Sequence, residues 1–281
     1  MSGKLIVVGT PIGNLSDFSP RARQALESAD FIAAEDTRVT VKLLNHFEIK
    51  KPMISYFEHN KYEKGDIICG RMEAGETCAL VTDAGMPAIS DPGELLVAQC
   101  AERGIPVFVV PGPSAVVSAL AVSGLPTGRF TFEGFLSVSQ KSRREHLEQL
   151  KAEKRTMVFY EAPHKLASTL ADMVKAWGGT RRVALVRELT KIHEEVIRTT
   201  LSQAADRYAN ETAKGEFVLV IEGAPEEATA EYSAQDALEL ARDYLSQGLS
   251  AAAAAKQAAA ETGRRKNEIY RELTREPNSG P

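Results

Sequence analysis

Cysteine is scarce in this 281-residue sequence: only Cys69, Cys78 and Cys100 occur, at spacings that match neither a disulfide framework nor a thiolate metal site. They are expected to be small buried hydrophobes in a reducing cytoplasm. Long apolar runs are missing too. The amino end passes from Met1-Ser-Gly-Lys4 into Leu5-Ile-Val-Val8, too short a run for a secretory core, and nothing later approaches the roughly 18 apolar residues of a membrane span. A cytoplasmic protein with no membrane partner is expected. Positive charge is not in excess either. The 34 Lys and Arg against 38 Asp and Glu give a formal net charge of −4, so any nucleic acid must be met by local basic patches rather than by a bulk field.

Several cofactor signatures are also absent. A dinucleotide fold calls for G-x-G-x-x-G after its first strand, and Gly9 and Gly13 do not supply it. The nearest approach to a phosphate-binding loop, Gly65-x4-Gly70-Arg71-Met72, lacks both lysine and hydroxyl and falls in a helical stretch. His193-Glu-Glu-Val-Ile197 ends in isoleucine where a zinc-hydrolase helix needs its second histidine. With neither a phosphate cradle nor a metal cluster, a cationic or neutral cofactor held by backbone groups fits better.

What is present is ordinary globular composition, 43% hydrophobic and 26% charged, in a length that suggests about two domains. Short β-rich apolar runs at 5–8, 31–34, 53–56, 79–82 and 107–110 alternate with helical stretches. One of these, 19–29, has Ser19 as cap and Pro20 at the first helical position, and Asp91-Pro-Gly-Glu94 opens another in the same way. The alternation predicts a mostly parallel sheet covered on both faces. Gly124-Leu-Pro-Thr-Gly128 is rich in turn formers and ends this first domain, at residues 1–124. Runs at 130–135, 157–160, 183–186, 195–200 and 217–221 build a second α/β domain over 125–224. Residues 224–230 read as a linker by composition. From 231 to 281 the pattern is helical: one helix ends at Gly248, Ser250 caps an alanine-rich second, and a third over 264–274 turns Ile269 and Leu273 inward. That is a helix-turn-helix-like unit.

Ligands bind open parallel sheets at the carboxyl ends of the strands. There the chain places Gly9-Thr-Pro-Ile-Gly-Asn-Leu15, Glu35-Asp-Thr-Arg38, Thr82-Asp-Ala-Gly-Met-Pro-Ala-Ile-Ser-Asp-Pro-Gly93 and Pro111-Gly-Pro-Ser-Ala115. Glycine and proline at this density fix loop shape and let a ligand approach the backbone. Four such loops on one sheet edge point to a binding site rather than to tight turns alone.

At these loops the sequence closely resembles the tetrapyrrole methylase superfamily, the class III methyltransferases, and within it the branch acting on ribosomal RNA. The resemblance covers nearly the whole chain. It is carried by Val8-Gly-Thr-Pro-Ile-Gly-Asn-Leu15, Ala34-Glu-Asp-Thr-Arg38, the run from Asp83 to Gly93, Val110-Pro-Gly-Pro-Ser-Ala115, Phe159-Tyr-Glu-Ala-Pro-His164 and Arg187-Glu-Leu-Thr-Lys191. Thr82 stands where serine is more typical and keeps the hydroxyl. The resemblance implies S-adenosylmethionine folded into a cleft between the two α/β domains. By position, Pro11, Thr82, Asp83 and Met86 line it with Ser114 and Ala115 beneath, while Phe159, Tyr160, Glu161, Gly215 and Glu216 approach from the second domain. It also implies a homodimer, and methylation of a cytidine ribose 2′-hydroxyl in the decoding region of 16S ribosomal RNA, free or in the small ribosomal subunit.

A ribose hydroxyl is a poor nucleophile, so a base or a nearby cation would help. Glu35 and Asp36 are candidate bases that Arg38 would orient, or the three only shape their loop. Asp91 is a helix cap or a functional carboxylate, and Lys191, His193 and Glu194 either face the acceptor or form a solvated loop. RNA needs positive charge, and two stretches offer it. Residues 141–155, with Arg143 and Arg144, carry six cations against three anions. Residues 264–275, with Arg264, Arg265 and Lys266, carry five against two. Phosphate contacts from such patches supply affinity and register, not base choice. Two other functions suit parts of this pattern: a tetrapyrrole-type small-molecule methyltransferase, which has no use for the basic helices, and a non-enzymatic nucleic-acid-binding regulator, which has no need of the 83–93 loop.

Overall fold

The computed structural model describes residues 3–225 and 232–275; most of the linker expected at 224–230, and residues 276–281 of the terminal module, lie outside them. Two compact units divide between Ala224 and Pro225.

The first unit begins with strands β1 (Lys4–Val8), β2 (Phe31–Ala34), β3 (Met53–Ser55), β4 (Thr77–Val81) and β5 (Val107–Val110), alternating with helices α1 (Pro20–Ser28), α2 (Thr37–His46), α3 (Lys61–Glu73), α4 (Gly93–Glu102) and α5 (Ala115–Ser123). The strands form one all-parallel sheet in the order β3-β2-β4-β1-β5. The central strands are apolar on both faces because helices cover both, as parallel sheets require. Leu5 and Val7 pack toward α3 and α4, whereas Ile6 and Val8 pack toward α1. The three cysteines are buried together on the α3–α4 face. Local signals set the helix ends: Ser19 Oγ accepts the Ala22 N–H at 3.1 Å, and Asp36 caps α2 by accepting the Arg38 N–H at 2.8 Å. Strand β5 is a sheet edge, with Phe108 56% and Val109 55% exposed.

Gly124 ends α5 in a left-handed conformation, φ 75°. Yet α5 does not cover the sheet that precedes it. Val116, Ala119 and Leu120 pack on Val158, Ala184, Val186, Val218 and Val220 of the following sheet, so the change of core falls before α5 rather than after it. Its sequence, Ala-Val-Val-Ser-Ala-Leu-Ala-Val-Ser, is apolar nearly all round. No stripe indicates which sheet it should cover.

The second sheet contains β6 (Phe130–Phe135), β7 (Thr156–Glu161), β8 (Arg182–Arg187), β9 (Glu195–Thr200) and β10 (Phe217–Ile221), with helices α6 (Gln140–Gln149), α7 (Pro163–Trp177) and α8 (Leu201–Asn210). Its order is β6-β7-β10-β8-β9. Only β6 and β7 run parallel; the other pairs are antiparallel. The face opposite α5 buries Met157, Phe159, Leu185 and Leu219 beneath α7 and α8.

The second unit holds α9 (Ala234–Ser246), α10 (Ala251–Thr262) and α11 (Lys266–Arg275). Ser233 and Asp236 form a reciprocal capping box, Ser250 caps α10 and Gly263 closes it in the left-handed region. The core is made of Ala237, Ala241, Ala255, Ala258 and Ile269, with Leu273 packed beside it. Side chains this small let three helices approach closely, which is why the stretch is alanine-rich.

Candidate active site

The loops after β1, β4 and β5 are laced together by backbone. Thr10 and Gly85 exchange N–H···O bonds of 2.9 and 3.2 Å, and the Thr10 hydroxyl lies 3.3 Å from the Thr82 carbonyl. Gly9 and Gly112 touch through their α-carbons: a Cβ built on Gly9 would sit 2.7 Å from Gly112 Cα. The Gly112 N–H points to the Met86 sulfur at 3.2 Å. Beyond this lacing the 83–93 loop holds Ala88 and Ser90 at φ 66° and 63°, strained for side chains other than glycine. Asp91 ties it to α4 by accepting the Gly93 N–H at 2.7 Å, although Pro92, not Asp91, is the residue at the N-cap position.

From the other sheet, loops 187–191 and 214–217 lock reciprocally. Glu188 Oε1 accepts the Glu216 N–H at 2.9 Å, and the Glu188 N–H meets the Glu216 carbonyl at 3.0 Å. Lys191 bridges Glu188 and Glu216 at 3.0 and 2.8 Å, and Glu194 accepts the Thr190 N–H. A Cβ on Gly215 would collide with Glu188, and one on Gly13 with Lys191. With φ of 84° at Gly215 and 151° at Gly13, glycine is favoured at both points.

Between these two sets of loops lies a cavity of about 520 Å³, within the range of small-molecule sites. Five carboxylate residues line it, Glu35, Asp83, Asp91, Glu161 and Glu216, and among the described residues no lysine or arginine does. Apolar walls come from Ile12, Ile89, Phe135, Leu189 and Val218. The Thr82 hydroxyl donates to Glu35 Oε2, and Asp83 accepts the Asp36 N–H at 3.1 Å. Glu161 is 3% exposed, accepts from Thr169 and the Ala162 N–H, and has Lys165 Nζ at 3.5 Å. Burial, and then the charge of Glu35, push the Asp83 carboxyl up. Burial likewise raises Asp91 against its N–H bonds. Both shifts mark a site where negative charge is held at a cost and a cation would relieve it.

Of the residues expected here, Glu35, Thr82, Asp83, Met86, Ser114, Ala115, Tyr160, Glu161 and Glu216 do line the cavity. Phe159 does not: strand alternation turns it to the opposite face, fully buried under α7. Pro11 and Gly215 stand one residue from the wall, next to Ile12 and Glu216. Asp36 is committed elsewhere. It caps α2 and pairs with Arg38 Nη2 at 2.6 Å, and that guanidinium with the Arg38 N–H holds its carboxyl down at about 2, a poor base. Arg143 requires a correction as an RNA contact. Its side chain is 7% exposed and spans Asp172 with bonds of 2.9 and 2.7 Å, so it is a buried structural cation. Arg144 shares that carboxylate at 3.0 Å but stays half-exposed. Lys141, Lys151 and Arg155 pair with Glu145, Glu148 and Glu153, so the 141–155 stretch meets half of its cations with its own carboxylates. Arg265 and Lys266 are exposed, while Arg264 Nε bonds the Tyr232 carbonyl at 2.8 Å. Sequence reasoning missed Phe135, whose signal was the glycine at 134 inside a strand run.

Two α/β layers joined by a cleft of this construction, with these loop sequences, define a methylase. A family model described as Tetrapyrrole (Corrin/Porphyrin) Methylases matches residues 4–205, and the chain belongs to that family. Among its relatives is the ribosomal RNA small subunit methyltransferase I of Synechocystis sp., 46% identical over 95% of this chain and 96% of that protein. The protein of the same name from Thermotoga maritima is 48% identical over 79% of this chain and 99% of its own length, so it has no counterpart to about a fifth of this one. The fold is also similar to a uroporphyrin-III C-methyl transferase from Thermus thermophilus, solved in complex with S-adenosyl homocysteine. That structure has a TM-score of 0.54 and 18% identity, covering 78% of this chain and 97% of that one.

Proposed function

We propose that this protein transfers a methyl group from S-adenosylmethionine to the ribose 2′-hydroxyl of a cytidine in 16S ribosomal RNA of the small ribosomal subunit. The observation that carries the reading is the cavity wall: carboxylates with no lysine or arginine among the described lining residues suit a sulfonium and an ammonium and repel a phosphate. The relatives named as small-subunit RNA methyltransferases support the acceptor class. When bound, the cofactor supplies a methyl group already activated on sulfur.

The chain's own work is positioning and proton handling. The Thr10–Gly85 lacing and the Gly9–Gly112 contact fix the floor, and the apolar wall excludes water. Orientation in such a cleft is worth up to about 7–11 kcal/mol. Glu35 is the candidate proton acceptor: the Thr82 hydroxyl fixes one carboxylate oxygen, and the other can take the proton lost by the acceptor hydroxyl. The exposed cations of α11 offer phosphate contacts, and the bare apolar edge of β5 suits the two-fold contact of a homodimer, which sedimentation would detect.

Incubating the protein with labelled S-adenosylmethionine and small subunits from a strain lacking it, followed by nucleoside mass spectrometry, should yield 2′-O-methylcytidine at one position. Label on a base, or none in RNA but some in uroporphyrinogen III, would sink the reading.

A further inference from the structure

We propose that Phe135 is the stacking platform for the base of the acceptor nucleotide, an assignment that rests on the RNA-methyltransferase reading above. Strand β6 pairs with β7 in register from Phe130 to Phe132, then slips so that Gly134, not Glu133, faces Phe159. The extra residue is a β-bulge, which re-aims the side chains beyond it. Gly134 takes φ 64°, and a Cβ there would meet the Ser90 hydroxyl at 3.4 Å, so the bulge brings β6 up to the strained 83–93 loop. Its effect is to turn Phe135 into the cavity wall while Leu136 is buried to 3% exposure.

Phe135 is 59% exposed at the rim of the cleft. One side of the ring leans on Tyr160, with centroids 5.4 Å apart, and the Lys165 ammonium stands 5.8 Å from its centre. The remaining surface is open. RNA recognition of single nucleotides relies on unstacked bases laid on such aromatic faces. Glu35 and Phe135 line the same cavity, so a ribose held at Glu35 has its base in the cleft that Phe135 borders.

The test compares Phe135→Ala, Phe135→Leu and Phe135→Trp in the full-length protein, with small subunits as substrate. Wild-type turnover is measured first: if no label enters RNA, the function proposed above has failed, not this assignment. Given an active wild type, Phe135→Ala should lower kcat/KM for RNA by roughly ten- to a hundred-fold, mainly through KM. Tm should stay at its wild-type value, and because Phe135 also lines the cavity, any loss of cofactor affinity by calorimetry should be much smaller than the loss in kcat/KM for RNA. Phe135→Trp should retain activity and Phe135→Leu should not, because stacking needs a π face rather than bulk. The assignment is overturned if Phe135→Ala methylates normally, if leucine serves as well as tryptophan, or if cofactor affinity falls in step with activity.

Discussion

At the scale of single residues, Asp83 and Asp91 are the informative pair, because both carboxyls sit above the ordinary carboxylate value in a cavity whose described lining holds no lysine or arginine. Asp83→Ala should cost about 1.5–3 kcal/mol of cofactor binding, roughly ten- to a hundred-fold in Kd, while the circular dichroism spectrum stays native. Unchanged affinity in the folded variant would move the cofactor away from this loop. The same pair sets a pH dependence. A cationic ligand favours ionised carboxylates, so it lowers their pKa on binding and expels protons. Affinity for S-adenosylmethionine should therefore rise as pH rises through the raised values of Asp83 and Asp91, then level off. S-adenosylhomocysteine, with a neutral sulfur, should respond more weakly. For stability the sign is opposite. Groups whose folded pKa is raised bind more protons folded than unfolded, so they erode stability as pH climbs between the ordinary and the raised value. Equal pH slopes for the two ligands would argue against a sulfonium among these carboxylates.

At the scale of elements, what the sequence makes legible is the set of loops; what it hides is which way their neighbours face. Gly9 and Gly112 mark close approach, and their α-carbons do touch. No side chain stands between them to yield, so Gly112→Ala should overpack backbone against backbone at about 1–3 kcal/mol. Tm should fall by roughly 2–12 °C, and cofactor affinity should fall with it. Gly70→Ala is the contrast: that position is exposed in α3 with nothing within 4 Å, so the change should stabilise by about 0.5–1 kcal/mol. If the two variants melted alike, the laced floor would not be under steric control. Strand runs and helix caps were also readable, since Ser19 and Ser250 act as their types predict. Three features were not. Phe159 and Tyr160 look equivalent as neighbouring aromatics, yet alternation sends them to opposite faces. Helix α5 is too uniformly apolar to announce its partner sheet. Arg143 reads as one cation of a basic run until α7 supplies Asp172 from 29 residues away.

At the scale of the whole molecule, the proposed RNA grip and the proposed chemistry fall in separate units, because the described residues that line the cavity all precede Ala224. Removing residues 225–281 should leave cofactor affinity unchanged while weakening RNA binding and flattening its salt dependence. The cations around the start of α11 supply the finer test. Arg265 and Lys266 are exposed, and Arg264 keeps its charge while leaning on the Tyr232 carbonyl. Converting all three to alanine should reproduce much of the truncation and reduce the slope of log K against log salt by up to about three units, roughly one for each phosphate that is no longer neutralised. The 141–155 stretch keeps more cations than anions, so some RNA binding should survive in this variant. Filter binding across a salt series reads this directly, and calorimetry with S-adenosylmethionine provides the control. The rival possibility is that α9, α10 and α11 serve only to join subunits. Truncation would then change the sedimentation coefficient, whereas the triple variant would bind and methylate RNA normally at every salt concentration. That result would remove RNA docking from the second unit and leave the cleft chemistry of the first untouched.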